Sequence, residues 1–223
     1  MQSGVEMSET IVSPQVYQEN IDFWDKAWNG VKAPYTQMPD LQYLPKILES
    51  FEQGKHGKVL DLGCGSGWLS VFLARNGFDV VGVDLAAHAI ELGKMWADQE
   101  SLKIDFQVQD ISNLSFAEKT FTGVIANSIF EHLTYDLAEQ TAKKIYWLLA
   151  DKGVFFGCFD MVGTGPGEYY KLDDGTHVYT DKGRKGMLLR CFSDDELRRI
   201  FAGWQIQELS SIEGGSRILV ATK

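Results

Sequence analysis

The stretch Val59-Leu60-Asp61-Leu62-Gly63-Cys64-Gly65-Ser66-Gly67-Trp68 constrains this chain more than any other segment. A short apolar run of strand type enters three glycines at alternate positions and then a helical pattern over 68–76 that Gly77 stops. Bare backbone at the carboxyl end of a strand lets a ligand approach the main chain. Downstream the pattern repeats. Strands are predicted at 79–83, 103–108, 122–126 and 154–159, with helices at 86–99 and 135–150 between them. Parallel strands need a right-handed crossover, so this alternation demands a mostly parallel sheet covered by helices on both faces.

Both ends of the chain depart from the alternation. Residues 1–12 are polar without periodicity, which predicts a frayed end. Tyr17, Ile21, Trp24 and Trp28 then follow at spacings of four, three and four, placing four large side chains on one face of a helix, and a second helix is predicted over 39–51. The chain thus divides into a helical cap or lid, residues 1–54, and a ligand-binding domain, residues 55–223. Gly163, Gly165, Gly167, Gly175, Gly183 and Gly186 mark 160–191 as a long excursion with a small hairpin at 177–180. Ser193 and Glu196 have the spacing of a capping box for a helix to 202. Strands 205–211 and 217–222, joined by a short glycine-containing turn, form an antiparallel hairpin.

Composition removes several classes of function. No run of 18 uncharged apolar residues exists, and the first 25 residues carry five acidic groups where a signal segment would be basic and then apolar. Cys64, Cys158 and Cys191 are too scattered for a metal-binding pair and too few for a disulfide framework, so the expectation is a reducing, cytoplasmic protein with no metal and no membrane partner. A net charge of −10 disfavours nucleic acid, whose binding depends on Lys and Arg neutralising phosphates. The partner expected is a small molecule, with the chain a monomer or a homodimer.

The glycine loop itself excludes some ligands. A dinucleotide fingerprint needs a small residue where Trp68 stands, and a Walker loop needs a Lys-Ser or Lys-Thr that is absent. Asp61, Asp84 and Asp110 fall at successive strand ends, a row of carboxylates along one crevice. Asp84 lies where a carboxylate takes two ribose hydroxyls, and Asp110 where one accepts from an adenine amino group. Asp61 suits a cation or backbone amides.

Asp61 to Gly67, Val83-Asp84, Gln109-Asp110-Ile111, and Phe121 to Asn127 leading into Phe130-Glu131-His132-Leu133 together resemble the class I S-adenosylmethionine-dependent methyltransferases. The resemblance covers roughly residues 40 to 160 in motifs and reaches the C-terminus in topology. It implies an α/β fold with a Rossmann-like, seven-stranded, mostly parallel sheet and an antiparallel C-terminal hairpin, and S-adenosylmethionine as cofactor with S-adenosylhomocysteine as product. It implies that Asp61, Gly63, Cys64, Gly65 and Gly67 surround the methionine part of the cofactor and that Asp84 with Leu85 takes the ribose. Asp110 and Ile111 then frame the adenine, and Asn127 lies beside the transferable methyl.

An enzyme of this kind performs an in-line displacement at a methyl group, so it must align an acceptor and exclude water. A base is needed only where the acceptor is protonated at working pH. His132 and His177 are the candidate bases. Tyr17, Trp24 and Trp28 from the N-terminal helix, and Tyr170 and Arg190 from the excursion, are the candidate substrate contacts. Residues 171–190 carry five basic and three acidic side chains, a local reversal that suggests an acidic group on the substrate or a solvated surface loop. The expected activity is methyl transfer to O, N or S of a small molecule. The alternatives are a noncatalytic S-adenosylmethionine-binding or partner-binding module, and another use of the same cofactor fold such as decarboxylation or a spermidine-synthase-like transfer.

Overall fold

The computed structural model describes residues 13–54, 56–160 and 167–223; the frayed end expected at 1–12, with Gly163 and Gly165, lies outside them. The chain runs α1 (Pro14–Asn29), α2 (Leu44–Phe51), β1 (Lys58–Leu62), α3 (Trp68–Arg75), β2 (Asp79–Asp84), α4 (Ala87–Gln99), β3 (Ile104–Val108) and β4 (Phe121–Asn127). It continues with α5 (Tyr135–Leu148), β5 (Leu149–Phe159), β6 (Tyr169–Lys171), β7 (His177–Tyr179), β8 (Leu188–Leu189), α6 (Asp194–Ile200), β9 (Gln205–Ser211) and β10 (Arg217–Thr222).

Seven strands form one sheet in the order β3-β2-β1-β4-β5-β10-β9. The first five are parallel, and β10 runs antiparallel between β5 and β9. The strand order reverses direction between β1 and β4, and ligands of open α/β sheets bind in the crevice beyond the carboxyl ends at such a point. In register, Leu62 pairs with both Val83 and Ala126, so the glycine loop, Asp84 and Asn127 emerge side by side.

Alternation along the buried strands divides the core. Leu60, Val81, Val124 and Phe155 face α5 and α6, packing on Ala142, Ile145, Leu197 and Phe201. Val59, Val80, Ile125 and Phe156 face the other way, onto Ile47 and Phe51 of α2 and Leu69 and Leu73 of α3.

Three expectations need correcting. The strand expected at 154–159 starts at Leu149, within the helix expected to reach 150. The second helix starts at Leu44, not at 39: Pro45, in its first turn, has no N–H to bond back to an earlier turn and so marks a start. The excursion is not one hairpin but a three-stranded antiparallel sheet, β6-β7-β8, because 188–189 returns to pair with His177 and Val178. The capping box at Ser193 forms as its spacing predicts, with both reciprocal bonds present.

Candidate functional site

The carboxyl ends of β1, β2 and β4 open on a cavity of about 300 Å³, at the lower end of the roughly 300–1,000 Å³ common for ligand pockets. Gly63, Cys64, Gly65 and Ser66 form its floor with Asp84 and Leu85 beside them, Gln109 and Ile111 one flank, and Asn127, Ser128, Ile129, His132 and Leu133 the other. Tyr17, Asn20, Trp24 and Trp28 of α1 make the roof. Gly65 needs to be glycine twice over. Its φ is +53°, and a Cβ there would lie 2.6 Å from Trp28 Cζ2. The roof therefore rests directly on the loop.

Asp84 is 9% exposed and lines the cavity. Its Oδ1 accepts from Ala86 N and its Oδ2 from Gly65 N, each at 2.9 Å. Burial raises its pKa while these amides oppose the rise. Each carboxylate oxygen has a further acceptor site, so the side chain can take two hydroxyls while staying anchored.

Asp110 does not line the cavity. Its Oδ1 accepts from Tyr17 Oη at 2.5 Å and from Ser112 N at 2.8 Å, which ties α1 to the segment after β3. Burial, with Asp110 beside it, raises the Tyr17 phenol pKa well above its usual range and keeps the donor proton in place. Asp61 also lies behind the lining. It is 2% exposed, accepts from Ser70 Oγ of α3 at 2.6 Å, and is pushed up to about 7 by burial against the pull of that bond. Gly67 meets the Phe106 ring, not the cavity.

Asn127 ends β4 on the cavity wall and its Oδ1 accepts from Tyr43 Oη at 2.7 Å. Ser128, held at φ +55°, donates to Asp160 Oδ2 at 2.6 Å. His132 lines the same wall. Its Nδ1 lies 2.9 Å from the Leu188 carbonyl oxygen, which can only accept, so Nδ1 carries the proton and the neutral ring keeps its lone pair on Nε2. Burial lowers the His132 pKa, favouring that neutral form.

The remaining predicted residues lie elsewhere. His177 is buried in β7 with its ring stacked on Tyr169 at 4.2 Å, outside the lining. Tyr170 is 46% exposed on β6. Arg190 is 8% exposed and its charge is matched by Glu196 at 2.5 Å and Asp174 at 3.7 Å. Among the described residues no Lys or Arg lines the cavity, so the basic excess of 171–190 does not face it and the suggestion of an acidic substrate loses its basis. Sequence reasoning missed Asn20, although it stands three residues after Tyr17 and four before Trp24, a polar residue inside the aromatic stripe.

This fold is shared with a protein from Pyrococcus horikoshii at a TM-score of 0.68 and 23% identity, covering 88% of this chain and 98% of that one. It is shared also with the Burkholderia thailandensis 1,6-didemethyltoxoflavin-N1-methyltransferase, seen with S-adenosylhomocysteine bound, at 0.67 and 20%, covering 96% and 91%. Residues 59–153 match the family described as a methyltransferase domain. Residues 59–153 thus carry the methyltransferase-domain match, set in a fold shared with S-adenosylmethionine-dependent methyltransferases of known structure.

Curated relatives include a 2-heptyl-1-hydroxyquinolin-4(1H)-one methyltransferase of Mycobacteroides abscessus, 40% identical over 103 residues that make up 45% of each chain. A ubiquinone biosynthesis O-methyltransferase of Coxiella burnetii is 38% identical over 112 residues, 50% of this chain and 46% of that one. The chain thus spans about half the length of these curated relatives.

Proposed function

We propose that the protein transfers a methyl group from S-adenosylmethionine to a hydroxyl oxygen of a small, planar, uncharged acceptor. The observation that carries this reading is the anchored carboxylate of Asp84 on the wall of a capped cavity that also holds the imidazole of His132, its Nδ1 turned to the Leu188 carbonyl. The lining fits the cofactor: a buried acceptor pair at Asp84, glycine backbone at its foot, aromatic rings above it and, among the described residues, no cation to oppose a sulfonium. The cofactor supplies a methyl carbon on positively charged sulfur, which keeps the bonding electron pair when the acceptor oxygen forms its new bond to that carbon.

Asp84 and Leu85 hold the ribose, Ile111 with Asp110 behind it frames the adenine, and Gly63, Cys64 and Gly65 meet the methionine part. Asp61 braces the first turn of α3 from behind the loop, through Ser70. Tyr17, Trp24 and Trp28 close the site against water, which gives α1 its role as a lid, while α2 belongs to the core. His132 accepts the hydroxyl proton at Nε2 as the oxygen attacks. A base of lowered pKa suits an acidic hydroxyl, as on a phenol, an enol or an N-hydroxy heterocycle. The two curated relatives, named for a hydroxyquinolone and for O-methylation, support an oxygen acceptor.

Calorimetry with S-adenosylmethionine and S-adenosylhomocysteine tests cofactor binding. Asp84→Ala is expected to weaken it by about 1–3 kcal/mol, the loss of hydrogen bonds to a charged group. An unchanged affinity in the folded variant removes the ribose assignment. Label transfer to 2-heptyl-1-hydroxyquinolin-4-one, a catechol, a thiol and a primary amine then tests the acceptor. Methylation of the thiol or the amine alone refutes the oxygen reading.

A further inference from the structure

We propose that Asn20 is the positioning residue for His132, closing a ring of three hydrogen bonds that assembles the base only when α1 is docked. The inference rests on the reading of His132 as base. The three bonds join segments far apart in the chain. His132 Nδ1 meets Leu188 O at 2.9 Å, Leu188 N donates to Asn20 Oδ1 at 3.1 Å, and Asn20 Nδ2 donates to His132 O at 3.3 Å. Every group in the ring has one possible sense. The two carbonyls can only accept and the amide N–H can only donate, which sets both the Asn20 amide orientation and the His132 tautomer.

Asn20 is 3% exposed, the one buried residue of α1. A buried carboxamide is unfavourable unless both of its ends are bonded, and here both are. One turn further on, Trp24 lies edge-on to the His132 ring, with centroids 4.5 Å apart at 68°. The same helix therefore holds the imidazole from its backbone side and against its ring. Its dock is the β6-β7-β8 sheet: Phe23 packs on Tyr179, Met187 and Leu189, and a Cβ on Gly186 would stand 2.4 Å from Glu19 O. The glycine-rich excursion thus serves the site by seating the roof and orienting the base. The charged groups near His132 are Asp160 at the end of β5 and its neighbour Glu131; Leu188 of β8 and Asn20 and Trp24 of α1 bring no charge.

The test is side-chain nitrogen NMR of His132, assigned by loss of its signals in His132→Gln from among the four histidines of the chain. The wild type is expected to show a single Nδ1–H tautomer. Asn20→Ala should show mixed tautomers, and about a tenfold fall in turnover of 2-heptyl-1-hydroxyquinolin-4-one, a fraction of what a general base supplies. Asn20→Asp keeps the acceptor for Leu188 N and adds a negative charge, so the His132 titration and the acid limb of kcat/KM should both move to higher pH. A wild-type tautomer and titration in both variants overturns the proposal. If Asn20→Ala does not fold, Asn20→Asp alone decides by the same titration. The spectra need no turnover, so a fully active His132→Gln, which refutes the base, is distinguishable from a failure of the ring.

Discussion

Replacing Gly65 by alanine reports how closely the roof sits on the glycine loop. At φ +53° an alanine is in left-handed backbone, at about 1–2 kcal/mol. Its methyl group would fall 2.6 Å from Cζ2 and 3.0 Å from Cη2 of Trp28. Carbon contacts are comfortable at about 3.5–4.0 Å, so the indole must retreat by roughly 1 Å and give up part of its packing. Adding about 1 kcal/mol for that displacement gives an expected loss of about 2–3 kcal/mol. In a Trp28→Ala background the contact is gone and only the backbone cost remains. The two substitutions should therefore couple by about 1 kcal/mol. Urea unfolding of the wild type, both single variants and the double variant, followed by far-UV circular dichroism, measures the cycle. Additivity within about 0.5 kcal/mol would refute the contact on which the closed cavity depends.

Further outcomes concern groups behind the lining. Burial holds Glu131 up at about 8 and Asp61 up at about 7, so between the ordinary carboxylate range and these values the folded protein binds protons that the unfolded chain has released. Stability should fall as pH rises through that window, by up to about 1.4 kcal/mol per pH unit for each group, and Glu131→Gln with Asp61→Asn should flatten a denaturation series run from pH 5 to 8. Arg190→Met leaves Asp174 and Glu196 without their cation and should cost about 3 kcal/mol, the low end for breaking a buried pair because both carboxylates reach water. Calorimetry should then show unaltered S-adenosylmethionine affinity, and a large loss would return Arg190 to the site.

Much of the framework was legible because it rests on local rules. Strand periodicity, Gly77 as a helix stop and the Ser193–Glu196 box are read within a few residues of one another, and they mark the elements from Lys58 onward that lie outside the 160–191 excursion. The apolar spacing of 41 to 48 does not locate the start of α2, because the missing N–H of Pro45 outweighs it. The sheet of the excursion is hidden from the sequence for a different reason. Its strands are two or three residues long, too short for periodicity to register, and exist because each finds a partner.

The sequence by itself determined the parallel sheet, the glycine loop at its switch point and the presence of carboxylates at three strand ends. Only the tertiary structure decided what each carboxylate faces. Asp84 turns into the cavity, Asp61 to Ser70, and Asp110 to Tyr17 from a helix 93 residues away. It also drew Asn20, His132 and Leu188 into one ring and matched Arg190 with Asp174 and Glu196. The physical reason is the range of the interactions. Helix and strand periods follow from the geometry of neighbouring peptides, whereas the partner of a buried polar group is whatever donor or acceptor the packed chain brings within about 3 Å of it.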